Sequence, residues 1–296
     1  MKSNGNDSGN PVDAFERDDS LFEPDQLRAR IEALDQIDSW LSDRHAATGA
    51  AEPAATEMFG RARTFSARLE SANKAIYQRI RQEIQRGRGA EPLLRLAPPS
   101  SQRGRELHTA KGEGYDYLDD VVSGVLQFDV PEIEDSALPL EMVPYQPTPA
   151  RHIFDLIRRV ALTAEDVLVD LGSGLGHVSI LASICTVARS VGIELEAGYV
   201  ECAESCARAL NLDTVKFVQQ DVREADFSSG TVFYLYTPFI GGILRTVLDR
   251  LQREARTRSF RICALGKCTP AIAEETWLEA VGEWSTDGIA LFRTRR

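Results

Sequence analysis

Apolar residues recur at two different periods along the chain, and the change of period divides it. Between Asp25 and Arg44, Leu27, Ile31, Leu34, Ile37 and Leu41 fall every three or four residues, which places them on one face of a helix. Met58, Ala62, Phe65, Leu69, Ala72, Ile76, Ile80 and Ile84 continue the pattern on a longer helix. With a polar link near residues 45 to 54, the pair predicts an antiparallel helical hairpin. After a Pro-, Ser- and Arg-containing linker at 87 to 104, Tyr115 to Phe128 predicts another amphipathic helix, with Leu118, Val121, Val122 and Leu126 on its apolar side.

In the second half, short solid apolar runs alternate with helical periods. Residues 166 to 170, Ser190 to Ile193, Val215 to Gln219, Thr231 to Tyr236 and Phe260 to Leu265 read as buried strands, and Gly241 to Arg256 as a helix. Trp277 to Phe292 holds two short strand-like runs around the turn Thr286-Asp287-Gly288. Before the first strand, Thr148 and Pro149 suit the cap and the first position of a helix. The alternation predicts an α/β fold with a mostly parallel sheet. Residues 1–24 are poor in apolar side chains and are predicted to be a disordered tail. The expected division is therefore that tail, a helical accessory region over 25–140, and an α/β domain over 141–296.

Charge and cysteine content narrow the function. The formal net charge of -11 argues against nonspecific binding of nucleic acid, which relies on Lys and Arg to displace counterions. Its distribution is uneven: Glu113 to Glu141 holds nine acids and no Lys or Arg, whereas Arg61 to Arg88 holds eight bases against two acids. By default both are solvated faces, with docking of a basic or an acidic partner as the functional alternative. The five cysteines lie at uneven spacings without a metal-binding pattern, and Cys202 and Cys206, on one helix face, read as packing. No metal site is predicted. No apolar run is long enough to span a membrane and no signal peptide is recognisable, so a cytoplasmic location is expected.

The chemistry is concentrated in Asp166-Val-Leu-Val-Asp-Leu-Gly-Ser-Gly-Leu-Gly176. An apolar strand ending in Asp170 empties into the alternate glycines Gly172, Gly174 and Gly176, whose lack of Cβ lets backbone N–H groups approach a ligand at the start of a helix. The third glycine comes one residue earlier than in the dinucleotide fingerprint. The loop resembles motif I, D-x-G-x-G-x-G, of the class I S-adenosylmethionine (SAM) methyltransferases. That resemblance implies a Rossmann-like, seven-stranded, mostly parallel sheet with one reversed strand and SAM as cofactor. It further implies Asp170, Gly172, Ser173, Gly174 and Gly176 around the methionine and ribose, Glu194 at the end of the second strand on the ribose, and Asp221 after the third beside adenine. The segment before the motif crosses the cofactor in many such enzymes, which adds Thr148 as a contact and Tyr145 as a lid. His177 reads as a first-turn helix residue outside the catalytic set.

The fourth strand ends in Tyr236-Thr237-Pro238-Phe239, the segment that faces the acceptor in this class. It lacks the Asp/Asn/Ser-Pro-Pro-aromatic motif of enzymes that methylate amino groups of bases, which with the acidic charge disfavours a nucleic-acid acceptor. From Tyr145 through Val178 the chain looks most like the non-SET protein-lysine methyltransferases of the telomeric-silencing-disruptor class and their smaller relatives. This implies a protein amine acceptor, in a basic segment, with Tyr236, Thr237, Phe239 and Tyr145 on the acceptor side. The chain departs from that class where Asn-Asn-Phe would end the fourth strand. A small-molecule N- or O-methyltransferase with the helical region as a lid, and a noncatalytic SAM-binding module, remain as alternatives.

Overall fold

The structure is a computed structural model, and it describes residues 11–47, 53–99, 114–131 and 141–295. The described residues up to Arg79 form one compact unit and those from Ile80 onward another.

The first unit is helical. Helix α1 (Pro11–Phe15) and a 3-10 turn (Asp19–Phe22) precede α2 (Leu27–Ala47) and α3 (Pro53–Gln85), whose last residues are counted with the second unit. Arg30 of α2 bonds Asn73 of α3 at 2.7 Å, while Trp40 meets Phe59 edge-on at 6.1 Å. Contacts that advance along one helix and recede along the other make the pair antiparallel. The link at 48–52 lies outside the described residues.

One expectation changes here. Residues 11–24 do not form a disordered tail: Val12 and Leu21 are buried in the same cluster as Ile37, Trp40, Phe65 and Leu69, and Phe22 packs edge-on against Phe65. Few apolar residues suffice because the two long helices supply the rest of the surface they bury. Residues 1–10 lie outside the described set. Several bases of the tract on α3 have partners within the chain. Arg61 pairs with Asp13 and Glu16, Arg68 lies over the Phe22 ring, Arg81 bonds the carbonyls of Val125 and Leu126, and Arg86 and Arg88 share Glu83.

The second unit holds a seven-stranded sheet. Strands β1 (Val167–Leu171), β2 (Arg189–Glu194), β3 (Val215–Gln219), β4 (Val232–Tyr236), β5 (Arg261–Leu265), β6 (Leu278–Ala280) and β7 (Ala290–Thr294) stand in the order β3-β2-β1-β4-β5-β7-β6. The first five are parallel and β7 runs against both its neighbours. The connection from β6 to β7 is a longer loop over 281–289 rather than a tight turn at Thr286–Gly288. Helices α6 (Ala150–Val160), α7 (His177–Cys185), α8 (Ala197–Ala209), α9 (Gly241–Ala255) and the short α10 (Thr269–Ala273) complete the α/β part. β1 is buried along its whole length, and the core on one face runs from Val167 and Val169 through Phe233 and Leu235 to Val247, Leu251 and Ile262.

The expected boundary at residue 140 is not where the chain divides. Helices α4 (Ala90–Leu96) and α5 (Tyr117–Leu126) belong with the sheet: Arg158 of α6 bonds the carbonyl of Ala97, and the Cys206 thiol of α8 reaches the Leu126 carbonyl. Amphipathic period reports that a helix has a buried face, not which neighbour buries it. Of the lysine- and arginine-free acidic run, residues 132–140 and Glu113 lie outside the described residues. Among the described residues, no helix is long and apolar enough to cross a membrane.

Candidate cofactor and acceptor site

Strand β1 has β2 on one side and β4 on the other, so the chain leaves the sheet in opposite directions from its centre and opens a crevice at the carboxyl ends of the strands. Asp170 pairs in register with Gly192 of β2 and Tyr234 of β4, and the next turn carries Gly172, Gly174 and Gly176, all at positive φ. Gly176 is the cap residue of α7.

These glycines answer a close approach as well as a backbone conformation. A Cβ on Gly172 would stand 2.4 Å from Pro238 Cβ, and one on Gly174 would stand 2.1 Å from Tyr145 Cε2. The loop is thus pressed between the turn after β4 and the segment before α6. Tyr145 lies on Gly174 with its ring 4.8 Å from that of Tyr199, and its hydroxyl meets His177 Nδ1 at 3.2 Å. Burial raises the Tyr145 phenol above the ordinary range and lowers His177 to about 4, so His177 is neutral at physiological pH.

The acids divide by environment. Glu194 accepts the Gly174 N–H at 2.7 Å through one oxygen, and the Leu195 and Glu196 N–H groups at 2.6 and 3.0 Å through the other. It ties the glycine loop to the end of β2. Asp170 is buried, with Ser179 Oγ as its hydrogen-bond partner at 3.5 Å, and burial together with the nearby Glu194 charge pushes it up to about 7. Asp221 is held ionised by Arg223, which grips it through Nε and Nη2 at distances from 2.6 to 3.1 Å. An acceptor-only carboxylate there retains lone pairs for an amino group.

Thr148 does not cap α6. The helix begins at Ala150, and the Thr148 hydroxyl instead pairs with Tyr234 Oη at 3.0 Å inside the unit. Pro149 takes the cap position without a side-chain bond, and the Ala150 N–H is satisfied by Asp119 of α5. The buried phenol of Tyr234 was not among the expected site residues. Its only signal in the sequence is a hydroxyl within an otherwise apolar strand.

After β4 the expected residues separate. Tyr236 is half-buried, near Arg151, and burial raises its phenol. Thr237 sits at φ +43, a conformation costly for a β-branched residue, and its hydroxyl donates to Leu265 O at 3.1 Å and accepts from Cys268 N at 3.2 Å. Phe239 is buried in the core, 3% exposed, with Leu235, Ile243 and Leu244. The structure therefore brings Tyr145, Thr148, Asp170, the glycine loop, Ser173 and Glu194 together, with Asp221 past the end of β3. It leaves Tyr236 half-buried at the end of β4, turns the Thr237 hydroxyl inward and makes Phe239 a packing residue. An aromatic after a strand fits a pocket wall or the core equally well in sequence.

The protein-family model described as "Histone methylation protein DOT1" matches residues 144–233. An uncharacterized protein of Methanocaldococcus jannaschii is 36% identical over 61 residues, 21% of this chain and 27% of that protein, so the match spans about a quarter of the relative's length. Among solved structures, an RNA methyltransferase from Salinibacter ruber in complex with S-adenosyl-L-homocysteine is 26% identical, covering 50% of this chain and 92% of that one, with a TM-score of 0.41. A precorrin-6y C5,15-methyltransferase from Geobacter metallireducens is 18% identical over 57% of this chain and 100% of its own, also at 0.41. The tRNA (uracil-54, C5)-methyltransferase of Pyrococcus abyssi is 18% identical over 50% of this chain and 39% of its own, at 0.37. These descriptions span RNA and small-molecule acceptors, so the expectation against nucleic acid gains no support from them.

The strand order with its reversed β7, and the glycine loop at the crevice, are those of the Rossmann-like class I SAM-dependent methyltransferase fold. Within that class, the matched segment is similar to the DOT1 histone methylation proteins.

The residues present fit the cofactor. Among the described residues, Ser173 Oγ is buried in the loop without a hydrogen-bond partner and Asp170 has no basic group beside it to balance its charge. A ligand carrying hydroxyls and positive charge supplies what both lack.

Proposed function

We propose that the protein transfers a methyl group from SAM to a side-chain amine of a protein, a lysine. The reading is carried by the match of residues 144–233 to a family whose description is histone methylation. The absence of a hydrogen-bonding Asp, Asn or Ser and of a double proline at Tyr236-Thr237-Pro238-Phe239 is consistent with it.

In this reading Glu194 holds the ribose, Asp221 the adenine amino group, and Asp170 and Ser173 the methionine end. When bound, SAM supplies a methyl group on a positively charged sulfur, open to in-line attack. Tyr145, laid across Gly174, excludes water from one side, and Tyr236 borders the approach of the acceptor. A lysine must shed its proton before attack. Burial raises the phenols of Tyr115, Tyr145, Tyr234 and Tyr236, so each stays protonated near neutral pH and serves as a hydrogen-bonding group rather than a tyrosinate base. Deprotonation then falls to desolvation of the ammonium and to water at the mouth of the crevice.

The test is to incubate the protein with methyl-tritiated SAM and a cell lysate, using Glu194→Ala as control, and to separate protein, RNA and small molecules. Base-stable label in protein that chromatographs as methyl-lysine is the expected result. Label confined to RNA or to metabolites overturns the lysine acceptor, and SAM binding without transfer favours a noncatalytic module.

A further inference from the structure

The stretch from Gly114 to Asp119 lies outside the residues matched by the family model, yet it runs along the segment that carries Tyr145 and Thr148. Tyr115 Oη donates to the Pro147 carbonyl at 2.8 Å and also bonds the Gln146 side chain. Asp119 Oδ1 accepts the Ala150 N–H at 2.8 Å, while its other oxygen takes the Asp116 N–H at 2.7 Å in the capping box of α5. A Cβ on Gly114 would lie 3.2 Å from Arg151 and 3.4 Å from Pro149, so the backbone itself follows the segment closely.

This arrangement has an asymmetry worth explaining. Helix α6 has no side-chain cap of its own, because Pro149 carries no acceptor and Thr148 is spent on Tyr234. The cap comes instead from α5, so that one carboxylate closes the capping box at the start of α5 and caps the start of α6 together. Four residues, 147 to 150, are thereby pinned at both ends from one direction, by Tyr115 and Asp119, and in the middle from the other, by Tyr234. Tyr145 stands two residues before this clamp, with its ring on the glycine loop.

We propose that Tyr115 and Asp119 are positioning residues of the cofactor site: by fixing the backbone at Pro147 and Ala150 they set Thr148 and Tyr145 over the glycine loop. The inference rests on the reading that Tyr145 and Thr148 border the cofactor. In this role both act through the backbone of the segment, so loss of either loosens it without removing a ligand contact.

Calorimetry with SAM on full-length wild type, Tyr115→Phe, Asp119→Ala, Asp119→Asn and Glu194→Ala tests this, with hydrogen exchange measured on the same proteins. Tyr115→Phe keeps the ring and removes the hydroxyl's bonds to Pro147 and Gln146, and is expected to weaken SAM about two- to tenfold. Asp119→Ala is expected to weaken it at least as much, and Asp119→Asn, which retains an acceptor for Ala150, to recover part of the loss. Exchange should speed up across residues 145–152 and the glycine loop while peptides of β5 and β7 stay as in wild type, a local signature that general destabilisation does not give. If Glu194→Ala weakens SAM but Tyr115→Phe binds as wild type with unchanged exchange at 145–152, the clamp is overturned. If Glu194→Ala binds normally, the reading of the cofactor site itself fails. Should Asp119→Ala not fold, the Tyr115→Phe comparison still decides.

Discussion

One oxygen of Glu194 accepts the backbone N–H of Gly174 at 2.7 Å, so the acid at the end of β2 and the middle glycine of the loop after β1 are joined before any ligand arrives. The other oxygen is bonded by Leu195 and Glu196. The carboxylate therefore shapes the loop as well as offering lone pairs to a ribose. Glu194→Ala is expected to lower SAM affinity at least tenfold and to cost about 1–3 kcal/mol of stability, because the N–H groups of Gly174, Leu195 and Glu196 lose their common acceptor. Calorimetry and urea unfolding check the two effects; a variant with weakened binding and unchanged stability would show that the loop does not depend on the acid.

Asp170 yields a prediction with a definite sign. Burial, reinforced by the Glu194 charge, raises it to about 7, against about 3.9 in an unfolded chain. Between those values the folded state holds a proton that the unfolded state has released, so this residue's contribution to stability falls as pH rises from about 4 to about 7 and is flat above. Asp170→Asn removes that slope. The ligand-free variant should gain melting temperature relative to wild type at pH 8 and gain little at pH 4, while SAM affinity drops. A melting difference that is equal at both pH values would refute the assignment.

Tyr145 and Gly174 should be energetically coupled. Gly174→Ala places a Cβ where the Tyr145 ring lies and also strains a residue at φ +52, so it should be destabilising by about 1–3 kcal/mol. In Tyr145→Ala the steric part disappears and the backbone part remains. A double-mutant cycle on unfolding free energies is expected to return an interaction energy above about 0.5 kcal/mol, and additivity would mean that the ring does not rest on the loop in solution.

Thr237 is expected to act through its hydroxyl on the protein rather than on the acceptor. Thr237→Val strands the Cys268 N–H, removes the bond to the Leu265 carbonyl and should destabilise by about 1–3 kcal/mol. Thr237→Ser keeps both bonds and relieves the β-branched side chain at φ +43, so its melting temperature should stay close to wild type. A loss in Ser as large as that in Val would refute the role of the hydroxyl, because Ser keeps it.

What was legible in the sequence was what is local in the chain. The run from Val167 to Leu171, the alternate glycines and the acid at Glu194 follow one another within a strand-helix-strand unit, and period and spacing suffice to read them. What was not legible depends on partners far away. Thr148 and Pro149 look like a helix start by themselves, but Tyr234, 86 residues on, claims the hydroxyl, and Asp119, 31 residues back, caps the helix. Phe239 and Thr237 were correctly placed at the end of β4, yet the direction in which each side chain turns is decided by α9 and by the residues after β5. The ordering of residues 11–24 fails for the same reason, since a sparse apolar pattern says nothing of the surface waiting to receive it.

The tyrosine laid across the loop also has a kinetic meaning. Its ring lies tilted against that of Tyr199 and its hydroxyl is engaged by His177, so floor and cover are packed together. A molecule that needs the face of Gly174 requires that packing to part. Association then follows the frequency of an internal opening, and its rate levels off as ligand concentration rises instead of climbing without limit.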